Sequence, residues 1–104
     1  MTDLEKIHAC AIAMELPNVK VSKWGVTYQF YFDTVPRIYD PLRNDEQAMA
    51  LKKVFKLSDS CHHNDIDGTD WIVTHRHAES MSFSLNSAIV DCVVQLVTEK
   101  RQVA

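Results

Sequence analysis

A chain of 104 residues with 46% hydrophobic and 24% charged residues has the composition of one globular domain; it is too short for a core plus a separate catalytic cap and too apolar for a disordered segment. Eleven basic residues against 14 acidic ones leave a net charge of −3, and the densest basic cluster is Lys52, Lys53 and Lys56, so no field draws in nucleic acid. No apolar run approaches the ~20 residues that cross a bilayer, and the opening Met-Thr-Asp-Leu-Glu-Lys lacks a secretion-signal layout, which predicts a cytoplasmic protein without a membrane partner.

The first predicted element is a helix from Thr2 to Leu16. Thr2 and Glu5 have the spacing of a capping box, Leu4, Ile7, Ala11 and Met14 form one apolar stripe, and Pro17 with Asn18 ends it. From Val19 the period changes to two. Segments 19–22 and 26–32 read as an antiparallel pair turning at Ser22 to Gly25, where glycine can supply a positive φ. The next stretch, DTVPRIYDPLRNDEQ, holds two prolines and reads as irregular up to Asn44. Asn44 is a good N-cap, Asp45 and Glu46 suit the positive end of a helix dipole, and Gln47 has the spacing that completes a capping box. Ala48, Leu51, Val54 and Phe55 then predict a buried stripe through about Leu57.

A polar loop is expected around residues 58–70, then strands at Trp71 to His75 and Ser80 to Phe83 joined around Ala78 and Glu79. Ser84 or Asn86 caps a last helix whose Ala88, Ile89, Cys92, Val93, Leu96 and Val97 make a broad apolar face, as expected of the most buried helix. The fold class that follows is α+β in the order α-β-β-α-β-β-α, a single domain with one antiparallel four-stranded sheet. Thr27, Gln29, Lys20, Ser22, Thr74 and Arg76 predict that the sheet's second face is polar, which suits solvent or a homodimer interface.

Four chemical readings compete. Asp65-Ile66-Asp67-Gly68-Thr69 matches the nucleophile string of a phosphatase superfamily, but there the first Asp ends a buried apolar strand, and Ser60-Cys61-His62-His63-Asn64 is no such strand. An EF-hand counted from Asp65 needs a Glu at its twelfth position, where Arg76 stands. Asx residues and a glycine at a turn explain the string more simply. Zinc is the best metal reading, with Cys61, His62, His63, His75 and His77 as candidate ligands, although no Cys-x-x-Cys or helical His spacing fixes them. Cys61 beside His62 lacks the groups of a nucleophilic site, and two glycines cannot build a phosphate-cradling loop. No catalytic residue emerges, no cofactor other than zinc is indicated, and the three cysteines are expected to be reduced thiols.

Residues 39–57, YDPLRNDEQAMALKKVFKL, resemble a segment of the phage ABA-sandwich domains of small tailed-phage and prophage proteins, with Asp40, Pro41, Leu42, Asp45, Ala48, Leu51 and Val54 on its pattern. Residues 85–97 resemble the closing helix of those domains through Ala88, Ile89 and Cys92. The resemblance implies an α/β/α sandwich and a phage origin, and it transfers no activity. A small phage protein without a catalytic constellation is expected to bind a host or phage protein, for instance as an inhibitor of a host defence system. Tyr31, Arg37, Tyr39 and Arg43 are the expected surface anchors, because Tyr and Arg in irregular exposed segments are frequent interface residues.

Overall fold

The computed structural model describes the backbone of residues 2–64, 68–76 and 78–103 and the side chains of 2–61, 70–76 and 78–98. Three helices and six strands run in the order α1 (Asp3–Ala13), β1 (Lys20–Ser22), β2 (Gly25–Tyr28), β3 (Arg37–Tyr39), α2 (Asp45–Phe55), β4 (Ser58–Asn64), β5 (Gly68–His75), β6 (Ala78–Ser82) and α3 (Leu85–Val103). The strands form two separate three-stranded antiparallel sheets, β1-β2-β3 and β4-β5-β6. The α+β class stands, while the single four-stranded sheet and the α/β/α sandwich are corrected. Two extra strands each pair with the hairpin beside them, and no pairing joins the two hairpins.

The first extra strand, β3, pairs Ile38 with Thr27 and Tyr39 with Val26, so the segment read as irregular returns along β2. The second, β4, pairs residue by residue with β5 from Ser58↔Thr74 to Asn64↔Gly68. Its sequence, SDSCHHN, lacks alternating apolar residues, and its conformation follows from the partner strand instead of local propensity. The hairpin at Ser22↔Gly25 is as expected, with Gly25 at φ +146°. The β5–β6 hairpin also forms, turning after His75↔Ala78.

Thr2 caps α1 as predicted, its hydroxyl accepting from the Glu5 amide at 3.2 Å. The helix stops three residues short of the predicted end because Glu15 turns left-handed at φ +57° and the Leu16 amide reaches back to the Ala11 carbonyl. The second helix ends the same way, through Lys56 at φ +54° and a Leu57 amide bonded to the Lys52 carbonyl. In both, the next residue is a leucine that turns into the core or packs on it. Ala48 and Leu51 are buried on α2 as expected, whereas Val54 is 57% exposed: the stripe is narrower than the periodicity suggested.

The third helix is the hub. Ala88, Ile89, Val90, Cys92 and Val93 are all fully buried, and the helix packs against α1, α2, β5 and β6. Val73 and Ser80 pair across β5 and β6 and share the face toward it, and the buried Ser80 hydroxyl donates to the Ala88 carbonyl. Ser84 is its cap, accepting from the Ser87 amide at 3.3 Å, while Asn86 donates instead to Asp45 at 2.8 Å and ties the starts of α2 and α3 together.

One glutamine closes an edge of each sheet. Gln47 does not reach back to Asn44 as a capping box requires; its Nε2 donates to the Ile38 carbonyl at 2.9 Å and its Oε1 accepts from the Asp40 amide at 2.6 Å. Gln95 does the same for β6, donating to the Glu79 carbonyl at 2.9 Å and accepting from its amide at 3.4 Å. Each side-chain amide takes the place of a fourth strand. Gln47→Ala removes both bonds from β3, and thermal or urea unfolding is expected to show a loss of about 1–3 kcal/mol.

Candidate functional site

After Tyr28 the chain leaves β2, and residues 29–36 form a loop tied down at several points. Gln29 donates its amide to the Pro17 carbonyl at 3.0 Å and its side chain to the Asp33 carbonyl at 3.0 Å. The Asp33 carboxylate accepts from the Phe30 amide and from both Nε and Nη2 of Arg37, each at 3.0 Å. That bidentate guanidinium holds the Asp33 carboxyl below its ordinary range, with the Phe30 amide adding to the effect. The Arg37 guanidinium also lies 5.3 Å from the Phe30 ring centroid. The loop is therefore braced before any partner arrives.

A continuous series of rings runs out of the core along this brace. Tyr39 and Tyr28 meet edge to face at 6.1 Å, Tyr28 and Phe30 at 5.8 Å, Phe30 stacks on Phe32 at 5.3 Å, and Tyr31 meets Phe32 edge to face at 5.3 Å. The outermost members stand in water: Tyr31 is 96% exposed, and Phe32 and Val35 are also exposed. On the adjoining sheet Ile38 is 73% exposed and Trp24, in the β1–β2 turn, is 86% exposed. Tyr31, Phe32 and Val35 share the loop, whereas Trp24 stands at the opposite end of β2 and Ile38 on the strand between.

The four expected anchors separate in the structure. Tyr31 is at the loop tip, where an anchor belongs. Arg37 is exposed but serves as the brace. Tyr39 is only 4% exposed and belongs to the core, because it pairs with Val26 on the inward face of β2 and β3; this corrects the expectation of a surface residue. Burial pushes its phenol up, and its hydroxyl has no protein hydrogen-bond partner among the described residues. Tyr39→Phe is therefore expected to leave stability unchanged or slightly raised in a thermal melt. Arg43 is exposed and paired with Asp40 at 2.9 Å. Phe32, Val35, Ile38 and Trp24 are the residues that reasoning from Tyr and Arg alone passes over; the signal for Ile38 was Pro36 leading into Arg-Ile-Tyr, a legitimate start for an edge strand.

A cavity of about 190 Å³ opens at the turn end of the first sheet, lined by Leu4, Ile7, Trp24, Ile38, Asp40 and Arg43 among others. Its lining also includes Asp3, Lys23 and Tyr39, and among the described residues it holds no Ser, Thr, Cys or His.

The zinc candidates are spread along the second sheet. Cys61 is exposed on β4, opposite Trp71, and His62 and His63 stand opposite Asp70 and Thr69. His75 is five residues beyond Asp70 on the same strand, roughly 17 Å away at about 3.3–3.4 Å per residue, beyond what two ligands of one tetrahedral ion span. His77, Asp65 and Asp67 lie outside the described residues, as do the side chains of His62 and His63. Among the described residues no group of three or more His, Cys, Asp and Glu is arranged to hold a metal ion. The strand before Asp65 is antiparallel to β5, with Ser58, Ser60 and Cys61 exposed, unlike the buried apolar strand that the phosphatase string requires.

The thiols differ sharply. Cys10 is buried and desolvation pushes it up to about 12, Cys92 is buried and raised for the same reason, and Cys61 is exposed. A thiol reagent is expected to titrate one cysteine in the native protein and all three after unfolding.

No helix among the described residues is long and apolar enough to cross a membrane. No family model, curated protein or solved structure matches this chain.

Proposed function

We propose that this chain is a non-enzymatic binding module that docks on another protein through the braced loop of residues 29–36 and the exposed face of the first sheet. The observation that carries this reading is the pairing of two opposed features in one loop: Asp33 and Arg37 fix its shape, and Tyr31 and Phe32 remain in water. Leaving Tyr31 almost wholly in solvent contributes little to the fold of a monomer. A binding surface gains from it, because a preorganised loop loses less conformational entropy on association and aromatic anchors carry much of an interface's energy.

The resemblance to phage ABA-sandwich domains points to a host or phage protein as the target, with inhibition or modulation of host machinery, such as a defence system, as the role. The two-sheet architecture departs from what that resemblance implies, so the target class rests on the sequence segments and the docking surface on the side chains. The test is capture of partners by tagged protein from host lysate, with and without phage infection, using the wild type and a Tyr31→Ala/Phe32→Ala variant. A partner retained by the wild type and lost by the variant supports the reading, and equal retention by both overturns it.

A further inference from the structure

We infer that the partner surface recognised by the first sheet is acidic as well as apolar. The inference rests on the binding reading above and adds the chemistry of the occupant. Residues 19–43 hold four basic residues, Lys20, Lys23, Arg37 and Arg43, and two acidic ones, Asp33 and Asp40. That surplus of two leaves a net −5 on the rest of a chain whose total is −3. Asp3 of α1 lies at the same end of the sheet and reduces the local surplus to one, against a net −4 elsewhere.

Both carboxylates of this region are already engaged, Asp33 by Arg37 and Asp40 by Arg43. Lys20 and Lys23 have no carboxylate partner among the described residues, so their charge is uncompensated. Their placement matters more than their number. Lys20, Thr27 and Ile38 are cross-strand neighbours in one row, which puts Lys20 on the same outward face as the exposed Ile38, about 10 Å away across two strand spacings. The Lys23 ammonium lies 5.0 Å from the Trp24 ring centroid. One cation thus shares a row with Ile38 and another lies beside Trp24 in the turn, while β3's far edge is closed by Gln47 and β1 is exposed throughout.

The occupant that complements this pattern carries Asp or Glu interleaved with aromatic or aliphatic side chains. A second copy of the chain fits poorly, because a two-fold pairing of this face brings its uncompensated lysines into the same interface. An extended polyanion fits poorly as well. The net negative charge on the rest of the molecule opposes a nucleic acid or an anionic membrane that reaches past the face, whereas a compact acidic epitope is screened from it beyond a Debye length of about 8 Å at physiological salt.

The experiment is selection of the full chain against a yeast-displayed library of random peptides, followed by affinity measurement on the enriched peptides with four proteins. These are the wild type, Lys20→Glu/Lys23→Glu, Lys20→Gln/Lys23→Gln and Tyr31→Ala/Phe32→Ala, each checked for native circular dichroism. The expected result is enrichment of Asp or Glu beside aromatic or aliphatic residues, an affinity loss of about tenfold or more on charge reversal, a smaller loss for the glutamine pair, and weakening as salt rises. Peptides without acidic enrichment, or affinity indifferent to charge reversal, overturn the acidic inference. If the same peptides still lose affinity in the aromatic variant, the docking reading survives that failure; if the aromatic variant binds normally, the docking reading itself fails. Tighter, charge-dependent binding to a single-stranded oligonucleotide or to phosphatidylserine vesicles, or self-association lost in the charge-reversed protein, also overturns the inference.

Discussion

Replacing Tyr31 and Phe32 by alanine is expected to abolish partner binding while leaving the fold untouched. Tyr31 is 96% exposed, and Phe32 is mostly exposed and outside the buried cluster, so truncation opens no core cavity and stability should move by no more than about 0.5 kcal/mol. Anchors of this kind typically contribute 2 kcal/mol or more each to an interface, which is roughly a thirtyfold or greater loss in affinity per residue. The outcome is therefore asymmetric: a large change in Kd with a small change in Tm. A large drop in Tm would mean that the pair supports the loop instead of presenting it.

The second large effect lies in the hub helix. Ile89 is fully buried on α3, the element against which α1, α2, β5 and β6 all pack, and Ile89→Ala is expected to cost about 2–5 kcal/mol in denaturant unfolding. Against a total of only about 5–15 kcal/mol for a domain of this size, that leaves a marginal protein. Val54→Ala provides the contrast. Val54 belongs to the predicted stripe of α2 but is mostly exposed, so its truncation should stay within about 0.5 kcal/mol.

The helices were legible because their signals are local. Thr2, Asn44 and Ser84 each accept from an amide three residues on, and the i, i+3, i+4 spacing of apolar residues located Ile7, Ala11, Ala48, Leu51 and the buried run of α3. The strand count was not legible, and the reason differs for the two strands missed. For β3, two prolines and a charged stretch masked a three-residue strand that carries its own signal in Ile38 and Tyr39. For β4, nothing in Ser-Asp-Ser-Cys-His-His-Asn favours extension; the strand exists because Trp71 to Thr74 offers it a partner. Missing both left two hairpins, and joining those hairpins into one sheet of four was the further error, since the two sheets do not pair with each other.

The site was partly legible for the same reason. Tyr31 was expected at the surface although it lay within the predicted strand of residues 26–32, which in fact ends at Tyr28, and the roles of Arg37 and Tyr39 depend on pairing. Once β3 lies against β2, alternation sends Tyr39 inward and Ile38 outward, and it brings Arg37 within reach of Asp33. The side-chain amides of Gln47 and Gln95 were invisible in the same way, since each bonds a strand that helical spacing does not reveal.

The surface has one rival. Met81 and Phe83, at the end of β6, are also exposed, and Met81 shares the outward face of the second sheet with Ile72 and Ser60. Hydrogen exchange of the free chain against the chain saturated with a captured partner separates the two faces directly. The account predicts slowed exchange confined to β1, β2, β3 and the loop of residues 29–36, with β4 and β6 unchanged. Protection along Ala78–Ser82 with none between residues 20 and 38 would contradict it and move the interface to the other sheet.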